Sequence, residues 1–516
     1  MMNNEKNISK KQISINMISN IISYSSNIII SFVITPFLIN SLGKDVYSFY
    51  PLANNIISYL SILTGALNTM ASRFFTVEIV KGDEKEANKY YSSVLASNLV
   101  LSAIMLIPMI IIIVFIDRIL HVPINSVAAI RTLFALVFSA ALMNIVGSIY
   151  GIATFAKNRI DLRSIREIIT AIIRLVLYVL FYKLFPVSIV YMGIVTVIVA
   201  IISLGIQIGY TRKLFPGFHF NKTNVSFRHT KKLLASTSWN LVFTFGNVLL
   251  SGLTLVLLNI LYSAEASGSL SIVQTVPTFI NGVISMLVGV FFPVITYKIA
   301  EEDIPGAVEQ IISAQRIIAI FGCAVITVFS GMASDFFSLW VPNENAKELA
   351  KLSFITIVPH LIISCMWILT NLNIAMNKVK KPALFTLFIG FINILLALIS
   401  IKVFDMDYTC IPIISSLLQL VWAGIFLPIY SSKEMKVSYN TFYPPLFKAL
   451  IASVICFLLT VFIKSFFIIS NWYTFISIGV LIGLISLVIF ALIELGPNKL
   501  KYYYTELKSK LQKKNN

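Results

Sequence analysis

LVLSAIMLIPMIIIIVFI, residues 99–116, runs for eighteen residues without a charge. As a helix it would rise about 27 Å, close to the roughly 30 Å hydrocarbon core of a bilayer. Its apolar side chains are continuous, whereas a membrane barrel strand alternates apolar and polar positions. Lipid offers no partner to an open backbone, so the stretch reads as a transmembrane helix. FISIGVLIGLISLVIFALI, residues 475–493, repeats the pattern near the other end. Further apolar runs of this length fill the interval, separated by short basic loops. Spans are predicted at 13–40, 50–77, 91–116, 128–154, 164–185, 187–210, 235–261, 268–297, 309–332, 350–375, 382–403, 409–430, 446–469 and 472–493. The fold class is therefore an all-α polytopic membrane protein with about fourteen transmembrane helices.

Composition agrees. The chain is 58% hydrophobic and 12% charged, with a mean hydropathy of +0.88. Soluble domains carry about twice that share of charge. The net charge of +18 sits at helix ends, which speaks for topology and against nucleic acid. Cys323, Cys365, Cys410 and Cys456 fall in or beside apolar runs without metal-ligand spacing. The first apolar run is too long and too polar for a cleavable signal, and no small-residue cleavage site follows it.

Lys and Arg set the orientation. With the N-terminus inside, alternate loops and helix ends divide roughly 31 against 8. Both termini are expected in the cytoplasm, which requires an even number of spans. The tail Lys499–Lys514, with Leu and Tyr among lysines, fits an interfacial helix on anionic lipid. The halves look alike at an offset near 220: Lys81-Gly82-Asp83-Glu84 lies against Glu301-Glu302-Asp303, and Ala87 against Ala307. A parallel repeat of six helices places a substrate site between halves. The expected divisions are an N-lobe at 1–211, a cytoplasmic linker at 212–234, a C-lobe at 235–430, two peripheral helices at 446–493, and a basic cytoplasmic tail at 494–516.

Four spans carry a polar stripe at helical spacing. The first has Asn16, Asn20, Ser23, Asn27 and Ser31, and the second Asn54, Ser58, Ser61, Gly65, Asn68 and Ser72. The seventh has Asn240, Thr244, Asn247, Ser251 and Thr254, and the eighth Ser271, Gln274, Thr278, Asn281 and Ser285. Such groups serve as helix–helix glue at about 0.6 kcal/mol each. Recurrence over several turns favours a water-filled cavity, faced by Asn27, Asn68, Asn247, Gln274 and Asn281. Charges within spans add to this. Arg174 sits mid-span on one face with Arg163, Arg166, Thr170 and Tyr178, and needs water, a partner or a ligand. Arg163 and Arg166 read as ordinary inside-end anchors. Arg73 lies late in the second span, with pairing to Glu78 or snorkelling as its plain alternatives. His360 lies within the tenth span, either packed or as a proton carrier. The four stripes hold no Asp or Glu. Arginines and amides without carboxylates suit an anion, above all phosphate oxygens. No nucleotide loop, metal cluster or nucleophile elbow is present, so an enzyme is not expected and no cofactor is called for. Transport would draw on an ion gradient, the membrane potential or the substrate's own gradient.

Thr35-Pro36-Phe37-Leu38-Ile39-Asn40-Ser41-Leu42-Gly43, Val46-Tyr47, Asn54-Asn55 and Ala71-Ser72-Arg73-Phe74 resemble the polysaccharide flippases. So does Lys81-Gly82-Asp83-Glu84-Lys85-Glu86-Ala87-Asn88-Lys89-Tyr90-Tyr91 after the second span. That family belongs to the multidrug/oligosaccharidyl-lipid/polysaccharide exporter superfamily. The resemblance covers most of the chain. It implies movement of oligosaccharide repeat units on a polyprenyl diphosphate across a bacterial cytoplasmic membrane, by alternating access between two lobes. Expected partners are that lipid-linked oligosaccharide, membrane lipids and, where transport is ion-driven, a coupling ion. A multidrug or cation antiporter of the same superfamily is the alternative. It fits less well because drug-extruding relatives commonly use an acid in the first helices, and span one offers only Asn16, Asn20 and Asn27. A membrane-embedded polysaccharide polymerase would want larger loops than these.

Overall fold

The computed structural model describes residues 2–515, with side chains for all except 2–11, 13, 14, 66, 80, 236, 237 and 497–515. The tail predicted to lie on lipid, and the lysines at 6, 10 and 11, thus have side chains outside the described residues. Every regular element among the described residues is helical. Eleven helices are long and apolar enough to cross a membrane, or twelve if the bent pair Phe227–Ala235 and Ser238–Gly252 counts as one span. The count of fourteen is not reached on those criteria, for physical reasons. The segment predicted at 50–77 is broken at Ser61 into Phe49–Leu60 and Ile62–Lys81. The segment predicted at 164–185 is one helix, Ile160–Leu184, but it carries Arg163, Arg166, Glu167, Arg174 and Lys183.

Two compact units form. One holds Met1–Val248 with Leu255–Gly268, the other Leu249–Thr254 with Ser269–Asn516. In the first, helix Met2–Leu42 packs along Ile160–Leu184, and Val127–Gly147 along Val190–Leu214. Its core centres on Leu67, Phe75, Tyr90, Val94, Ile149 and Phe215. In the second unit, Tyr443–Lys464 and Trp472–Asn515 pack on Ala324–Trp340. A Cβ on Gly331 would meet the Thr460 side chain at 2.6 Å, so glycine permits that close approach. The outer faces of these helices are apolar, with Val454, Leu458 and Phe462 exposed as lipid-facing residues are.

The repeat seen at an offset of about 220 is a repeat of turn geometry. In the first unit, Gly82 N donates to Ile79 O and Asp83 N to Glu78 O, and the Asp83 side chain caps Glu86 N at 2.9 Å. In the second, Glu302 N donates to Ile299 O and Asp303 N to Lys298 O, and Asp303 caps Gly306 N at 2.9 Å. Each turn ends its helix in a left-handed residue, Gly82 at φ 79° and Glu302 at φ 60°. A second pair recurs where the sequence gave no notice. Asn158 and Asn377 both sit at positive φ, with Arg159 N bonded to Thr154 O and Lys378 N to Asn373 O. Asparagine tolerates that conformation better than other residues bearing a Cβ.

Candidate functional site

Among the described residues, each unit holds a cavity lined by polar side chains. In the first unit it measures about 410 Å³. Asn68, Thr69 and Ser72 line it from Ile62–Lys81, Ser148, Tyr150 and Thr154 from 148–155, Arg163 and Arg166 from Ile160–Leu184, and Gln207 and Tyr210 from Val190–Leu214. The break at Ser148–Tyr150 turns its polar groups inward, where the Ser148 hydroxyl accepts from Asn98 Nδ2 at 3.2 Å. Asn98 is fully buried and also donates to Asn68 Oδ1 at 3.2 Å. Asn68 in turn donates to Thr64 O at 2.6 Å, so one amide of the cavity wall is fixed at both ends.

Charge in this cavity comes from the helix one turn apart. Arg163 Nε bonds Glu167 Oε1 at 2.9 Å, and Arg166 Nη2 approaches the same oxygen at 3.5 Å. The other carboxylate oxygen accepts from Ser23 Oγ at 2.9 Å. Two guanidinium charges against one carboxylate leave a net +1. The Arg166 side chain is only 16% exposed, so solvent screens it weakly. At the head of this helix Arg159 grips Asp161 through two nitrogens and holds its carboxyl below the usual range.

In the second unit the cavity measures about 260 Å³. Gln274, Thr278 and Asn281 line it from Ala264–Ala300, Thr356 and His360 from either side of a break, Ser415, Ser416 and Gln419 from Cys410–Val421, and Ser251 and Thr254 from the π-turn region. No lining residue carries a fixed charge. The π-turn Val248–Gly252 loosens its own carbonyls, and buried Asn393 Nδ2 donates to Leu249 O and Leu250 O at 3.0 and 3.1 Å.

The sequence candidates distribute as follows. Asn68 reaches the first cavity; Gln274, Asn281 and His360 reach the second. Asn27 donates to Ser23 O and Asn247 to Phe243 O on their own helices, and neither is among the residues lining these two cavities. The first helical stripe is largely glue: Asn16 Nδ2 donates to Asn158 at 3.0 Å, Asp161 N to Asn16 Oδ1, and Ser23 to Glu167. Arg73 is exposed and outside the cavity, and Glu78 pairs with Lys81 instead of with it. Arg174 is half-buried, within electrostatic reach of Tyr178, and outside the cavity lining. The arginines read as plain anchors, Arg163 and Arg166, are the ones that line it. Their signal in the sequence is the face they share with Arg174, while their place at the helix end suits an anchor. Gln207 and Tyr210 gave no signal, being single polar positions in an apolar helix. Among the described residues no three His, Cys, Asp or Glu side chains gather as a metal site would require.

The fold of this polytopic helical bundle is similar to that of solved multidrug transporters and of a flippase. An inward-facing multidrug resistance MATE transporter matches with a TM-score of 0.69 at 11% identity, over 82% of this chain and 97% of that one. The lipid II flippase MurJ, in an inward closed conformation, matches with a TM-score of 0.66 at 14% identity, over 93% of this chain and 98% of that one. Within that fold, the chain belongs to the polysaccharide biosynthesis protein family, which matches residues 13–299. It is also similar to the membrane protein EpsK of Bacillus subtilis (strain 168), 26% identical over 475 residues, 91% of this chain and 93% of that protein.

Proposed function

We propose that this protein flips polyprenyl-diphosphate-linked oligosaccharide repeat units across the bacterial cytoplasmic membrane, both termini being cytoplasmic, by alternating access between its two units. The observation that carries this reading is the first cavity, where Arg163 and Arg166 leave a net positive charge beside Asn68, Gln207 and Tyr210. Guanidinium forks match phosphate oxygens, and amides and a phenol match sugar hydroxyls. The family supports a role in polysaccharide biosynthesis, and the structurally similar MurJ is a lipid II flippase. We assign Arg174 and Arg73 to the approach of the anionic head group rather than to its seat.

One observation favours the multidrug antiporter: Glu167 sets a carboxylate against Ser23 of the first helix. That carboxylate is held by both arginines, which leaves it poorly placed to take a cation. Complementation separates the readings. Expression in a bacterium lacking its own repeat-unit flippase should restore surface polysaccharide. Restored resistance to cationic dyes without polysaccharide would make the antiporter the better reading.

A further inference from the structure

Helix Ala346–Ile357 and helix His360–Ala375 are two halves of one span broken at Pro359. Proline has no N–H, so the Ile355 carbonyl loses its helical partner. Ser416 Oγ donates to it at 3.1 Å. The next carbonyl, Thr356, is taken by the His360 ring at Nδ1, 3.0 Å away. A carbonyl only accepts, so Nδ1 carries its hydrogen, and Nε2 of the neutral ring keeps its lone pair. Nε2 faces the cavity and accepts from Asn281 Nδ2 at 3.3 Å. A repaired helix break thus fixes the tautomer and aims a basic nitrogen into a polar space.

His360 is the titratable group of that cavity. Around it stand Gln274, Thr278, Ser415 and Gln419, all neutral. Among the described residues, none of the charged groups on the packed helices lines this cavity. Arg316 and Lys448 lie near Glu494, Glu434 pairs with Lys378, and Glu348 bonds the Tyr408 hydroxyl. Cys365, further along the helix, faces Cys323 at 3.6 Å. Among the described residues no anion lines the cavity to compensate an imidazolium, so water must solvate it.

We propose that His360 Nε2 is a proton-binding site whose occupancy is coupled to opening of the second cavity to water. The step moves one proton from cavity water to the Nε2 lone pair and leaves Nδ1–H on Thr356. It turns Nε2 from acceptor to donor. Two donors then oppose each other, and the contact with Asn281 breaks or the amide turns over. Either way the link between Ala264–Ala300 and His360–Ala375 changes. It does so one turn beyond Pro277, where the first of these helices already lacks a backbone bond. An imidazolium is tolerated where the cavity is wet, and the neutral ring where it is closed. Proton binding and opening are then reciprocal. This does not depend on what is transported.

The test uses the full chain in lipid nanodiscs. It has four histidines, so ¹⁵N-histidine spectra are sparse, and His360→Gln identifies the resonance. At pH 8 His360 should show the Nδ1–H tautomer, and it should become imidazolium as the pH falls to 5. A spin label at Thr278→Cys, with the native cysteines replaced by serine, should become several-fold more accessible to a water-soluble relaxant over that range. The rise should vanish in His360→Gln. Asn281→Ala, which keeps the imidazole, should titrate without the rise. The proposal is overturned if His360 stays neutral to pH 5, or titrates with no change in accessibility. It is equally overturned if the rise persists in His360→Gln.

Discussion

Arg166 offers the sharpest perturbation of the first cavity. Its side chain is 16% exposed and its one near carboxylate oxygen, on Glu167, is 3.5 Å away, while Arg163 holds the same oxygen at 2.9 Å. Arg163 is thus the partner of Glu167, and Arg166 keeps most of its five donors for a ligand. A desolvated, charge-assisted phosphate contact is worth about 1.5–3 kcal/mol, roughly ten- to hundredfold in occupancy. Arg166→Ala should raise the half-saturating substrate concentration by that factor and leave the protein level unchanged, since Arg163 still neutralises Glu167. Arg166→Lys should recover only part of it, because the fork is lost. Glu167→Gln works the other way: it raises the local net charge from +1 to +2 and should tighten binding of the diphosphate. Transport into proteoliposomes at graded substrate concentrations measures all three. Unchanged half-saturation in Arg166→Ala, together with weaker binding in Glu167→Gln, would refute the electrostatic reasoning.

Three other outcomes are expected, the first from the Lys and Arg distribution and the others from the structure. A membrane-impermeant thiol reagent applied from outside should label Asn343→Cys and spare Asn221→Cys; the reverse would invert the topology. Asn393→Leu removes the side-chain donor to Leu249 O, while Leu250 O keeps the Ser415 hydroxyl, and should cost about 1 kcal/mol, read as a lowered midpoint of thermal unfolding in detergent. Lys298 and the Gly306 N–H hold the Asp303 carboxyl below its ordinary value of about 3.9. Its cap is therefore intact above about pH 4 and is lost as the pH falls through the lowered value, so pepsin nicking of the turn should rise in that acid range and not in Asp303→Asn.

The membrane class was legible because hydrophobic length is a one-dimensional property, and Leu99–Ile116 shows it without help from neighbours. The span count was less so. Ser61 breaks a helix within a run that hydropathy reads as continuous, and Ile160–Leu184 sets Arg163 and Arg166 against its own Glu167, whose other oxygen takes the Ser23 hydroxyl from far along the chain. The repeat was visible at Asp83 and Asp303, where capping demands a particular residue, and invisible at Asn158 and Asn377, where only the backbone repeats. Polar stripes located faces but not their partners. Asn16 and Asn68 look the same in sequence, yet one is sealed against Asn158 and the other lines a cavity. That difference belongs to packing, which spacing alone does not encode.

The central claim is tested most directly by reconstitution. Purified protein in liposomes is given a fluorescent polyprenyl diphosphate bearing a short oligosaccharide, placed in one leaflet. The fraction reached by a membrane-impermeant quencher in the other leaflet is then followed. Flipping should be fast with the wild-type chain, slow with Arg166→Ala and absent from protein-free vesicles. Equal rates with and without protein, in vesicles whose protein still expels a cationic dye, would contradict it.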